Sequence, residues 1–159
     1  MFKIVDNYLS AEEHVNLKTF MESNAFPWYF AKCTAYKNNN IFDYQFIHVF
    51  YKDNLVNSNF FHYLDPLLNK IKPLSLVRIK ANLNPISQTL LKFEEHKDKL
   101  FKCKVAIYYL NNNNGYLNIE GKKIDIKENR IVFFNSDKKH YGTNSTNCTN
   151  KMVINLNYF

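Results

Sequence analysis

The spacing of apolar and polar positions in the first 73 residues predicts two helices and a few strands. Ser10 and Glu13 form a capping-box pattern, so a helix should run from there to about residue 24. Apolar residues recur at helical spacing over 58–71 and predict a second helix, which Pro66 would kink or restart. Shorter extended patterns predict strands at 2–5 and 42–51.

After Pro73 the pattern changes to strands and turns only. Asparagine runs at 111–114, and earlier at 38–40, are predicted to be turns. The predicted strands are Leu74–Leu83, Leu90–Phe93, Phe101–Leu110, Tyr116–Ile119, Lys123–Ile126, Arg130–Asn135 and Met152–Phe159. Short strands at this spacing predict a sandwich or jelly roll, that is, a mainly β fold of the α+β class with the two helices packed outside.

The composition fits one soluble domain. The chain has 159 residues, of which 46% are hydrophobic. It has no apolar run of the roughly 18 residues that a membrane span needs, and its first residues lack a signal-peptide core. Its 3 cysteines are far apart, so neither a disulfide framework nor a zinc knuckle is expected. We expect a cytoplasmic protein without membrane contact, with a helical support region at 1–73 and a jelly-roll core at 74–159.

The net charge of +7 could serve an anionic partner such as nucleic acid. However, the lysines are scattered, and Arg78 and Arg130 are the only arginines. The chain is also rich in Asn, Lys, Ile, Phe and Tyr, so a general compositional bias explains the charge more simply. We therefore expect no tight binding to duplex nucleic acid.

The first candidate for chemistry is the H-x-D pair His96 and Asp98. Side chains at i and i+2 of a strand point to the same face, so an imidazole and a carboxylate could meet at one metal ion. His140 follows a predicted strand, and two histidines with one carboxylate form the facial triad that suits Fe(II). Taken alone, H-x-D could also be a solvated strand end, because charged residues flank it. Of the other histidines, His14 is expected to be solvated and His48 to be a hydrogen-bonded core residue.

Other parts of the sequence strengthen the metal hypothesis. In order, they are His96-x-Asp98, the run Ile107-Tyr108-Tyr109-Leu110-Asn111, the run Asn129-Arg130-Ile131-Val132-Phe133-Phe134 followed by His140, and the run from Lys151 to Phe159. In this order and spacing, the C-terminal half resembles the prolyl-4-hydroxylase-like branch of the 2-oxoglutarate and Fe(II) dioxygenases. The opening residues 2–10 also look like that family. The resemblance implies a double-stranded β-helix, with iron held by His96, Asp98 and His140.

The resemblance also implies two residues that hold the co-substrate. Lys151 stands where a basic side chain pairs with the distal carboxylate of 2-oxoglutarate, although arginine is usual there because its fork binds carboxylate bidentately. Tyr109 is the second candidate, since the second tyrosine of that strand donates its hydroxyl to the same carboxylate. By alternation, Tyr108 faces the other way, so only one of the two can reach the site. A surface lysine and two packing tyrosines are the plainer interpretations.

Three asparagines are candidates for the lining of the pocket. Asn155 and Asn157 share the strand face of Lys151, and polar residues suit a pocket better than a core there. Asn82 vaguely resembles part of an N-x-Y element of dioxygenases that repair alkylated nucleic acid, but Asn84 stands where that element has tyrosine.

The sequence therefore predicts a hydroxylase that uses Fe(II), 2-oxoglutarate and O2, with ascorbate as an optional accessory. In the implied reaction the keto acid loses CO2 and the prime substrate is hydroxylated. A protein or peptide side chain such as proline is the expected prime substrate. Nucleic acid and a small metabolite stay open, and so does a non-catalytic jelly roll with a vestigial metal site. The sequence does not predict the oligomeric state.

Overall fold

A computed structural model describes residues 1–34 and 42–159 of the chain. The predicted turn at 38–40 lies outside the described residues. The strands are β1 (Lys3–Val5), β2 (Tyr29–Ala31), β3 (Gln45–Lys52), β4 (Leu55–Val56), β5 (Leu76–Pro85), β6 (Lys104–Tyr109), β7 (Tyr116–Ile119), β8 (Lys122–Asp125), β9 (Ile131–Asn135), β10 (His140–Gly142) and β11 (Asn150–Tyr158). The helices are α1 (Ala11–Glu22) and α2 (Asp65–Ile71), with a 3-10 turn at Phe61–Leu64 before α2.

The strands form two antiparallel sheets. The major sheet has the order β1-β9-β6-β11-β5-β3-β2, with β4 paired to β3, and the minor sheet has the order β10-β7-β8. Neighbours in the major sheet are far apart in sequence, as expected of a jelly roll. The predicted mainly β architecture with two helices is confirmed.

Alternation along the strands separates two apolar cores. Residues such as Tyr108, Ile154 and Leu156 face the helices and pack with Leu17 and Met21 of α1. Residues on the opposite face of the major sheet, among them Val105, Ile107 and Val132, pack with Leu117 and Ile119 of the minor sheet. Because successive side chains of a strand point to opposite faces, one strand serves both cores. The molecule is therefore layered as helices, major sheet and minor sheet.

The predicted start of α1 is confirmed, whereas the second helix begins later than the predicted residue 58. Ser10 caps α1 by accepting a hydrogen bond from the backbone of Glu13, and the Glu13 carboxylate accepts one from the backbone of Ser10. Pro66 lies in the first turn of α2, where its missing N–H costs nothing, and the helix restarts at Asp65 as the sequence suggested.

The expectation that His14 is solvated is wrong. The His14 ring is buried against the major sheet and hydrogen bonds the Tyr108 hydroxyl and, at 2.8 Å, the carboxylate of Glu128. A histidine is compatible with this layer because both of its ring nitrogens find partners. The expectation for His48 is confirmed, since its ring contacts the Pro27 carbonyl at 2.8 Å and the Ser58 hydroxyl at 2.7 Å.

Two further expectations need correction. The predicted strand Leu90–Phe93 is irregular and makes a single bridge, from Lys92 to Thr143. The region 1–73 also supplies more than helical support, because β1 closes one edge of the major sheet and β2 and β3 close the other. Among the described residues, no helix is long and apolar enough to cross a membrane.

Candidate metal centre

The two candidate histidines face each other across a β-bridge. The backbone N–H of His96 donates to the carbonyl of His140 at 2.9 Å, and that of His140 donates back at 2.9 Å. Directly opposed residues of an antiparallel pair project their side chains to the same side. The two imidazole rings consequently lie with their centroids 4.5 Å apart.

The local structure around His96 differs from the expected strand. Residues 86–103 form an irregular connection between β5 and β6, and His96 is tied to the fold by its bridge to β10. The same-face argument for His96 and Asp98 therefore does not rest on a regular strand. Even so, ligand atoms of His96, Asp98 and His140 all lie within 4.8 Å of one another.

Backbone carbonyls fix the orientation of both rings. Nδ1 of His96 lies 2.9 Å from the Glu94 carbonyl, and Nδ1 of His140 lies 3.1 Å from the Lys138 carbonyl. A carbonyl only accepts hydrogen bonds, so each Nδ1 must carry the proton, which leaves Nε2 as the lone-pair nitrogen. Burial lowers the pKa of His140 and so keeps its ring neutral. Neutral imidazoles oriented by outer hydrogen bonds are the usual form of histidine ligands.

The side chain of Asp98 is buried and contacts three other side chains. Its carboxylate lies 3.4 Å from an Arg78 nitrogen, 3.1 Å from the Asn157 amide and 3.4 Å from the Asn155 amide. Burial opposes its ionisation, but the nearby His140, Arg78 and His96 together hold the pKa of Asp98 below its ordinary value. The carboxylate is thus ionised and oriented toward the histidines.

A cavity of about 470 Å³ opens from this cluster, and Lys151 and Tyr109 both line it. Lys151 lies on β11, and its ammonium donates a hydrogen bond to the Thr143 carbonyl. Burial lowers the pKa of Lys151 to about 7. A Cβ at Gly142 would lie 3.3 Å from the Lys151 ammonium nitrogen, so the glycine leaves that end of the cavity open.

The two tyrosines of β6 point to opposite faces, as alternation predicts. Tyr109 belongs to the core next to the cavity, and burial raises the pKa of its hydroxyl. Tyr108 faces the helices, where its hydroxyl donates to the Asn129 side chain at 2.9 Å and contacts the ring of His14. Tyr109 is therefore the tyrosine that can reach a molecule in the cavity.

The three candidate asparagines occupy different positions. Asn155 lines the cavity and also contacts Asp98. Asn157 is fully buried behind Asp98, so it orients that carboxylate and does not line the cavity. Asn82 lines the cavity from β5, and its buried carbonyl oxygen has no hydrogen-bond partner among the described residues.

Sequence reasoning named Asn82 on β5 but missed the other residues that this strand contributes to the cavity. Arg78, Lys80, Asn82 and Asn84 alternate along this strand and all line the cavity. Four polar residues at every second position of a strand whose other face is apolar were the available signal. Arg78 in particular was read as an ordinary strand residue, although it pairs with Asp98.

Comparison with known proteins gives matches at the level of structure. No family model and no curated protein sequence matches the chain. Each of the three solved structures named here covers 99% of the chain. A prolyl hydroxylase from Trichoplax adhaerens, in complex with a peptide fragment of hypoxia inducible factor, has a TM-score of 0.68 at 14% identity, over 83% of that chain. A 2OG-Fe(II) oxygenase family oxidoreductase from Burkholderia pseudomallei has a TM-score of 0.68 at 6% identity, over 84% of that chain. The alpha ketoglutarate dependent epimerase SnoN from nogalamycin biosynthesis has a TM-score of 0.70 at 11% identity, over 76% of that chain.

These similarities establish the fold that the sequence resemblance implied. The chain has the double-stranded β-helix of the 2-oxoglutarate and Fe(II) oxygenases, with two helices packed on its major sheet. A fold supports many activities, so the chemistry of this chain has to be argued from its own side chains.

Proposed function

We propose that the chain is a hydroxylase that depends on Fe(II), 2-oxoglutarate and O2. The observation that carries this proposal is the convergence of His96, Asp98 and His140, whose ligand atoms lie within 4.8 Å of one another at the end of a cavity. Two imidazoles and one carboxylate leave coordination positions open, which is the donor set of non-haem Fe(II) oxygenases.

The cavity also fits the co-substrate. Lys151 is a buried ammonium with no ion pair to any residue in 1–34 or 42–159, and such a group favours a bound carboxylate. Tyr109 offers a hydroxyl from the neighbouring strand β6. In the sheet, Tyr109 lies directly opposite Val153 of β11. These residues would hold the distal carboxylate of 2-oxoglutarate while its keto acid end reaches the metal.

When bound, Fe(II) would supply the activation of O2, coupled to conversion of 2-oxoglutarate to succinate and CO2 with one oxygen atom passing to a C–H bond of the prime substrate. The protein's residues do the rest. The carbonyls of Glu94 and Lys138 keep the Nδ1 protons in place, and Asn157 and Arg78 hold the Asp98 carboxylate.

A peptide side chain such as proline is the proposed prime substrate. It is supported by the sequence resemblance and by the similar Trichoplax fold, which holds a peptide in its structure. A small molecule is the second candidate, because SnoN, with a similar fold, has been solved with nogalamycin RO. Nucleic acid is supported only by the charge of +7. A non-catalytic jelly roll is disfavoured, because the three metal-binding side chains are already oriented.

Binding and turnover together test the proposal. The wild-type protein should bind Mn(II), an inert substitute for Fe(II), and then 2-oxoglutarate, as seen by electron paramagnetic resonance and calorimetry. With Fe(II) and O2 it should release succinate, faster in the presence of a substrate that gains the mass of one oxygen. A wild-type protein that binds neither Mn(II) nor 2-oxoglutarate would support the vestigial alternative.

A further inference from the structure

The lining of the cavity carries more positive charge than the binding of Fe(II) and 2-oxoglutarate would need. Among the described residues, the cavity is lined by one carboxylate, that of Asp98, and by five cationic side chains, Arg78, Lys80, Lys97, Lys99 and Lys151. A bound Fe(II) ion and a 2-oxoglutarate dianion would neutralise each other. Arg78 lies beside Asp98 and Lys151 would lie beside the co-substrate carboxylate, so Lys80, Lys97 and Lys99 are the cations of the lining without such a neighbour.

Lys80 is the centre of this excess. It projects from β5 into the cavity and forms no ion pair with a described residue. Burial and the neighbouring Arg78 lower its pKa to about 8. The charged form of a buried lysine beside another cation is unfavourable, and a bound anion would lower this free-energy cost.

The same strand face carries further unused polar atoms. Nε of Arg78, the carbonyl oxygen of Asn82 and the amide nitrogen of Asn84 are buried without a hydrogen-bond partner among the described residues. Buried polar groups are nearly always paired in folded proteins, so unpaired groups on a cavity wall indicate polar ligands. The Asn84 amide lies opposite Lys151, whereas the unpaired donor Nε of Arg78 belongs to the end of the strand beside Asp98.

The register of β5 and β11 shows that Lys80 is distant from Lys151, the residue proposed to bind the co-substrate. Lys151 lies opposite Asn84, whereas Lys80 lies opposite Asn155, which contacts Asp98. Four residues along a strand correspond to roughly 13 Å. Lys80 is therefore beside the metal end of the cavity and Lys151 at the other end, so the two ammonium groups address different ligands.

We propose that Arg78 and Lys80 bind an oxyanion, a carboxylate or a phosphate, of the prime substrate, and that this chain selects anionic substrates. The proposal rests on the proposed function, because it places the anion beside the metal that would oxidise the substrate. Lys99 at the same end of the cavity adds to the field that attracts the anion.

The test uses protein loaded with Mn(II) and 2-oxoglutarate, and small probes in place of the unknown substrate. Inorganic phosphate and acetate are titrated while the broadening of their phosphorus and carbon resonances by Mn(II) is followed, with acetamide as the neutral probe. The variant is Lys80→Met, which keeps the length of the side chain and removes its charge. The matched control is Lys122→Met, at an exposed lysine of β8 outside the cavity.

We expect wild type and Lys122→Met to bind phosphate or acetate at least tenfold more tightly than Lys80→Met does, and acetamide not to be broadened. The probe that is preferred identifies the oxyanion. Equal anion affinity in wild type and Lys80→Met would overturn the inference, and so would a Lys80→Met protein that loses 2-oxoglutarate binding and keeps anion binding. If wild type fails to bind Mn(II), the proposed function fails by itself. The same phosphate titration by calorimetry on the metal-free proteins then decides whether Lys80 binds anions.

Discussion

Replacing Lys151 with methionine should make the protein more stable and unable to hold 2-oxoglutarate. Methionine has a similar length and no charge, so it fills the space of the lysine stem. The ammonium of Lys151 is buried, and its partner among the described residues is the Thr143 carbonyl. If Lys151 binds the co-substrate at a cost to folding, this single variant should gain stability and lose 2-oxoglutarate binding.

The size of the expected change in the free energy of unfolding follows from the pKa of Lys151. Its value falls from the ordinary 10.5 to about 7 because the side chain is buried. At ~1.4 kcal/mol per pKa unit, burying the charged form at pH 7 costs on the order of 4 kcal/mol. The hydrogen bond to Thr143 has a charged donor and offsets about 1.5–3 kcal/mol of this. Lys151→Met should therefore raise the free energy of unfolding by roughly 1–3 kcal/mol at pH 7.

The pH dependence gives a second check on the same number. The pKa of Lys151 is lower in the folded state, so the unfolded state binds more protons between pH 7 and 10.5. The stability of wild type relative to Lys151→Met should be lowest at and below pH 7 and should recover as the pH rises toward 10.5.

Urea unfolding of wild type, Lys151→Met and the exposed control Lys122→Met, at several pH values, measures the stability difference. Calorimetry with Mn(II) measures the loss of 2-oxoglutarate affinity, which should be about tenfold or more, given ~1.5–3 kcal/mol for a charge-assisted bond. A Lys151→Met protein that is less stable than wild type, with co-substrate affinity intact, would refute the reasoning and require a different anchor.

Four further outcomes are expected. Asp98→Ala should abolish tight Mn(II) binding, because it removes a ligand and leaves Arg78 without its carboxylate, whereas unchanged metal affinity by paramagnetic resonance would exclude Asp98 as a ligand. Tyr109→Phe should weaken 2-oxoglutarate binding by about 0.5–1.5 kcal/mol, the worth of one hydrogen bond, and calorimetry that shows no change would remove Tyr109 from the site. The affinity for 2-oxoglutarate should fall as the pH rises above 7, by up to about tenfold per pH unit, because a neutral Lys151 must take up a proton to pair with the carboxylate. An affinity that does not change with pH would contradict this. Labelled duplex DNA should bind weakly near physiological salt, because the lysines are interleaved with 14 acidic residues, and sub-micromolar binding with a steep salt dependence would reverse that expectation.

The sequence was sufficient for features that depend on local spacing. The capping box at Ser10 and Glu13 marks the start of α1 in both the sequence and the structure. Alternation put Tyr109 and Tyr108 on opposite faces of one strand, and the family resemblance assigned Tyr109 and Lys151 to the cavity, which both residues line. These predictions succeeded because side-chain direction in a strand repeats every two residues, whatever the strand packs against.

Contacts between residues that are distant in sequence could not be predicted from local spacing. His14 looks like a solvated residue on a helix, and only the packing of α1 on β6 shows that Tyr108 and Glu128 satisfy its ring. His96 lies outside any regular strand, so its position depends on a bridge to a residue 44 positions later in the chain, His140.

The sequence by itself predicted most of the strand pattern and, through its resemblance to a known family, pointed to His96, Asp98 and His140 as candidate metal ligands and to Lys151 as a candidate for the co-substrate. Only the tertiary structure decided that Arg78 pairs with Asp98, that Asn157 lies behind that carboxylate, and that Lys80 faces the cavity with no ion pair among the described residues. The physical reason is that burial and pairing are properties of the assembled sheets. A charged residue on a strand looks the same in sequence whether its face meets bulk water or, as on β5, lines a cavity.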